Sequence, residues 1–106
     1  MAKATLKEQL KAIRNKLAEV QLDGLTLYVR KLSAREVSDY TAAYHAKSDD
    51  ELTLMGKLVA QAVVDAEGKP VFNDAAEVID FDFSTVKALA EAASRHSGMH
   101  ADQKKD

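Results

Sequence analysis

Few residues in this 106-residue chain have the type and spacing for chemistry: three histidines and several paired carboxylates. His96 and His100 are four apart, a spacing that on one continuous helix aims both imidazoles at a shared metal ion. Gly98 stands between them and tends to stop a helix. Asp102 is the only further ligand nearby, so these histidines read as solvent-exposed, as does His45. Asp80 and Asp82 flank Phe81, which in an extended segment puts both acids on one side and turns the ring into the core. Two close carboxylates support acid–base work when burial raises the pKa of one. No nucleophile or oxyanion donor accompanies them, and a polar loop pinned by an aromatic is the simpler reading. Asp65 and Glu67 begin like a calcium loop but lack its ligand ladder and final bidentate Glu. Glycines 24, 56, 68 and 98 are too scattered to cradle a phosphate, and no strained elbow marks a serine nucleophile. The absence of cysteine excludes disulfides, thiolate zinc sites and a cysteine nucleophile. The expectation is no catalytic residue, no metal and no cofactor.

The length suits one domain, and 46% hydrophobic with 30% charged residues is the profile of a folded globular chain. A net charge of -2 does not suit a general polyanion binder. Tyr28 and Arg30, on one strand face, could stack on a base, but no nucleic-acid module surrounds them. No apolar run approaches the roughly 18 residues that span a bilayer. Lys3, Lys7, Lys11 and Arg14 interrupt the N-terminal segment too often for a secretory signal. Neither nucleic acid nor a membrane is therefore expected as a partner.

The elements that would position these groups follow from periodicity. Leu6, Leu10, Ile13 and Leu17 form one stripe of a first helix, with Thr5 as a cap and the basic residues on another face. Residues 1–17 hold five basic residues and one acid, a surplus of four positive charges, so the rest of the chain carries six negative. Such a helix suits an acidic partner or a membrane surface, or simply a solvated face opposite a packing stripe. Asp23-Gly24 is hairpin-turn chemistry between two alternating strands. It pairs Leu22 with Leu25 and Val20 with Leu27, leaving Val20, Leu22, Leu25, Leu27 and Val29 on one face. A lone hairpin is marginal in water, so helices must cover that face or other copies must extend it.

Ser33 and Glu36 form a capping box, and Val37, Tyr40 and Tyr44 make a stripe on the helix it starts. Ser48, Asp49, Asp50 and Glu51 start a third helix whose apolar residues, from Leu52 to Val63, cover half its circumference. Gly56 inside it implies close approach of another helix. Gly68 and Pro70 mark a turn, after which Val71 and Phe72 extend onto the core. Asn73 or Asp74 caps a short helix through Ile79. Ser84 caps a last helix with Val86, Leu89, Ala90 and Ala93 as its stripe, Lys87, Glu91 and Arg95 paired outside it, and Gly98 as its stop. The fold class is thus α+β, mainly α-helical: an N-terminal helix, one β-hairpin, then about four helices. Residues 1–98 form a single domain and 99–106 a disordered tail.

Leu27-Tyr28-Val29-Arg30-Lys31-Leu32-Ser33-Ala34-Arg35-Glu36 resembles the strand-to-helix "VR-x-LSA-x-E" passage of tail assembly chaperones from long-tailed phages. Val63-Val64-Asp65-Ala66-Glu67-Gly68-Lys69-Pro70-Val71-Phe72, an acidic short helix and an Ala-rich helix ending at Ser97-Gly98 continue the likeness. It covers residues 20–98 and leaves out the basic first helix. The resemblance implies a non-enzymatic homo-oligomeric protein of the host cytoplasm, absent from the mature virion. It would bind the phage tape measure protein, keep it in solution, and help the major tail tube protein polymerise around it. It also implies a longer form made by programmed frameshift, for which Lys104-Lys105 fits an adenine-rich slippery message. The helix of Val37, Tyr40 and Tyr44 and the final helix with Leu89, Ala90 and Ala93 are the expected client-binding surfaces, with Tyr28 and Arg30 as further candidates. The rival reading is a small adaptor that binds an acidic partner through Lys3, Lys7, Lys11 and Arg14.

Overall fold

A computed structural model describes residues 5–47 and 49–99. Lys3, Ser48, His100, Asp102 and Lys104-Lys105, and with them the tail beyond Met99, lie outside the described residues. The order is α1 (Leu6–Arg14), β1 (Ala18–Leu22), β2 (Leu25–Val29), α2 (Ala34–Ala46), α3 (Glu51–Ala62), β3 (Val63–Val64), α4 (Ala75–Val78) and α5 (Phe83–His96). The chain is mainly α-helical α+β, as its periodicities predict.

The hairpin forms in the expected register, Leu22 opposite Leu25 and Val20 opposite Leu27. Asp23 and Gly24 take φ of 48° and 80°, the two positive angles that a turn matching strand twist requires. A third strand completes the sheet in the order β1-β2-β3, with Tyr28 opposite Val64 and Val29 opposite Val63. Helical periodicity alone extends the preceding helix through Val63. Its φ of -82° and ψ of 125° instead turn the chain into the sheet, where both β-branched residues are fully buried. Val64 also bridges Pro70, so the Asp65 turn closes a tight loop. The Asp65 carboxylate accepts the Glu67 and Lys69 amides at 2.8 and 3.0 Å, turn chemistry rather than cation binding.

The core lies between α3, α5 and the sheet, where Val29, Val59, Ala62, Val63, Val86 and Ala93 have at most 1% of their surface exposed. Gly56 explains how α4 joins them. A Cβ there would meet Ile79 Cγ2 at 2.9 Å and the Ala75 carbonyl oxygen at 3.1 Å. The close approach that its position implied is the docking of α4 on α3.

Caps set most boundaries. Thr5 and Ser33 form complete capping boxes with Glu8 and Glu36. Asp50 caps α3 and Asp74 caps α4. Asp82, not Ser84, caps α5: its carboxylate accepts the Thr85 amide at 3.0 Å and the Ser84 hydroxyl at 2.7 Å. Gly98, φ 75°, stops α5 just past its end: Gly98 N–H bonds the Arg95 carbonyl and Met99 N–H the Ser94 carbonyl. Met99 therefore belongs to the domain: its side chain packs against the core, which corrects its assignment to the tail.

Candidate binding surface

Arg30 organises the junction beneath α2. It makes two parallel hydrogen bonds to Glu36, at 3.0 and 2.8 Å, while Nε donates to the Gln61 carbonyl at 2.8 Å. Strand β2, the end of α3 and the start of α2 thus share one guanidinium, the fork geometry that Lys cannot supply. The Arg30 hydrogen bonds hold the Glu36 carboxyl down at about 2, from an ordinary 4.5. Arg30, expected as a further partner-binding candidate, is thus engaged within the fold. Tyr28 is half-buried beside it in the sheet, opposite Glu19 and Val64.

Above this junction, the α2 stripe is only partly covered. Val37, Tyr40 and Tyr44 line a groove of about 450 Å³ with Thr41, His45, Leu58, Ser94 and Met99. Tyr40 also lines a neighbouring hollow with Asp39, Leu54 and Lys57, and Tyr44 lines another with Lys47, Asp49, Asp50 and Glu51. Lys57 pairs with Asp49 at 2.6 Å, which leaves Asp39, Asp50 and Glu51 against Lys47 beside the two tyrosines, a margin of net negative charge. Tyr44 is 51% exposed and meets the His45 ring edge-on at 5.8 Å between centroids. Partial burial raises the Tyr40 pKa, helped by Tyr44 and Glu51.

The other expected client surface is not a surface. Leu89, Ala90 and Ala93 are 2%, 6% and 0% exposed, packed into the core against α3 and the sheet. Their small side chains do allow close helix approach, but the approaching helix belongs to this chain. The first helix shows the reverse. Leu6, Leu10 and Ile13 are 78%, 64% and 54% exposed, and α1 buries no residue. Leu17 lies past its end. The packing stripe expected there faces outward, and nothing in the sequence except the shortness of this helix signals it.

The chemistry-bearing residues of the sequence are dispersed. His96 Nε2 donates to the Lys16 carbonyl at 2.8 Å, since a carbonyl only accepts, and so fastens the base of α1 to α5. Asp82 is an exposed cap, and its hydrogen bonds from Ser84 and Thr85 lower its pKa, the opposite of the shift an acid catalyst needs. Asp80 is exposed too, and Phe81, expected in the core, is 50% exposed while its ring leans edge-on against Phe72 at 5.4 Å. Among the described residues there is no group of three or more potential metal ligands and no buried polar or charged residue. Among them, too, no helix is long and apolar enough to cross a membrane. Comparisons of the chain with protein-family models, curated proteins and solved structures find no match.

Proposed function

We propose that this protein is a non-enzymatic assembly chaperone of the phage-tail type, which binds the tape measure protein without covalent chemistry and without a cofactor. The observation that carries the reading is the aromatic groove along α2. An amphipathic client helix presents apolar anchors every three or four residues, and Val37, Tyr40 and Tyr44 offer matching contacts at that spacing. Tyrosines suit such a surface because each supplies a large apolar face with little rotamer entropy to lose, and a hydroxyl that tolerates water when the groove is empty. Client binding is placed on α2 and withdrawn from α5. The setting that goes with this role is the host cytoplasm, outside the finished virion, with the tail tube protein as a further partner.

Co-expression tests it. A long tape-measure-type chain should move from the pellet to the soluble fraction when this protein is present, and Tyr40→Ser with Tyr44→Ser should abolish the effect. Because Tyr40 also packs on the core, Tyr44→Ser alone, at a half-exposed position, should weaken it with the fold intact. Solubilisation unaffected by both substitutions would refute this surface.

One observation favours a second reading, the adaptor: α1 is an exposed, basic amphipathic helix. Lys7→Gln, Lys11→Gln and Arg14→Gln should abolish binding to an acidic partner if the adaptor reading holds, and leave solubilisation largely intact if the chaperone reading holds.

A further inference from the structure

We infer that α1 of one copy docks in the α2 groove of a second copy, so that the protein associates head to tail. The inference deepens the chaperone reading, because the neighbouring copy's helix would occupy the groove assigned to the client.

Four observations carry it. The helix needs a cover: nine residues are too few to be stably helical alone in water, and among the described residues nothing buries its apolar face. The two stripes match in length. Leu6 and Ile13 are seven residues apart, as are Val37 and Tyr44, so each stripe runs about 10 Å along its helix. The charges match as well. Lys7, Lys11 and Arg14 border the apolar face of α1, while Asp39, Asp50 and Glu51 outnumber Lys47 along the margin of the groove, where Lys57 is already paired with Asp49. Finally, α1 stands apart from the body while its base is held. The Lys16 carbonyl is bonded to His96 on α5, so the helix is presented to a neighbour rather than left on a loose tether.

The two surfaces are different patches of one chain, which makes the contact heterologous. Each copy offers one helix and one groove, and the product is a ring or an open filament rather than a simple twofold dimer.

The test uses two variants at exposed positions, Leu10→Glu on the helix and Tyr44→Glu on the groove, with mass measured by light scattering or sedimentation velocity. The wild type should exceed monomer mass, and each variant alone should be monomeric. An equimolar mixture should form a 1:1 dimer, because Leu10→Glu retains the groove and Tyr44→Glu retains the helix. Asp39→Lys, which leaves both apolar stripes intact, should weaken wild-type association roughly fivefold and gives a readout should Tyr44→Glu fail to fold. A monomeric wild type overturns the inference. So do a Tyr44→Glu protein that assembles like wild type, which would mean α1 pairs with α1, and a mixture that stays monomeric. The chaperone reading is scored separately: Leu10→Glu should still solubilise the client, because its groove is untouched.

Discussion

Helices α1 and α5 are both amphipathic and both capped, yet among the described residues one is the most exposed element and the other is part of the core. On α5, Val86, Leu89, Ala90 and Ala93 are at most 6% exposed; on α1, Leu6, Leu10 and Ile13 are all more than half exposed. The difference lies in geometry as well as in composition, α1 being the more polar helix. α5 is 14 residues long and its alanines let α3 and the sheet come close on one side. α1 has nine residues and bulky side chains. An apolar stripe is therefore a demand for a partner, and whether the partner lies in the same chain depends on length, side-chain size and connection.

The largest break in this contrast should come from truncating the buried member. Leu89→Ala should cost about 2–5 kcal/mol in urea unfolding, through lost transfer energy and the cavity left behind. Leu10→Ala should change monomer stability by less than about 0.5 kcal/mol. Equal losses would mean that α1 is packed after all.

Gly56→Ala comes next, since it pushes α4 away from α3. The added methyl would overlap Ile79 and the Ala75 backbone, and overpacking of this kind costs about 1–3 kcal/mol. Up to about 1 kcal/mol of that is offset by better helix propensity. A thermal melt that shifts upward instead would show that α4 yields freely.

Glu36→Gln probes the anchor of α2. Gln still serves the capping box, so the loss reports the charge on the Arg30 pair, about 1–2 kcal/mol for side chains that are 32% and 29% exposed. The sign of the pH effect follows from the direction of the shift. Glu36 titrates near 2 when folded against an ordinary 4.5, so its contribution is full above about pH 4.5 and disappears as pH falls toward 2. Wild-type and Glu36→Gln stabilities should converge across that window.

The smallest effect should be Thr5→Ala. It removes the α1 cap, worth about 1 kcal/mol locally, and should lower far-UV helicity slightly without moving the melting temperature of the isolated domain.

Local chemistry was legible wherever a few neighbouring residues decide the outcome. Asp23-Gly24 fixed the turn and hence the register of the hairpin. Ser33 with Glu36, and Gly98, marked helix ends because their side chains or positive φ answer unpaired backbone groups. Two legible signals were ambiguous. Val63 continues the α3 stripe and equally suits a strand, and only the vacant edge of β2 decides for the strand. Asp82 and Ser84 are both good caps, and in the fold the Asp82 carboxylate is the one that accepts the Thr85 amide.

The candidate surface was half legible. Val37, Tyr40 and Tyr44 were picked out by spacing and do line a groove. Leu89, Ala90 and Ala93 have equally good spacing and are core. Arg30 was singled out for its type, whereas its fork is engaged by Glu36 and Gln61, residues 6 and 31 positions away.

The sequence by itself determined the elements, their ends and the hairpin register, because these rest on hydrogen bonds and rotamers within a few residues of chain. Only the tertiary structure decided which apolar stripes were consumed by the core and which remained, because burial depends on distant parts of the chain meeting. A helix cannot record in its own residues whether something will cover it.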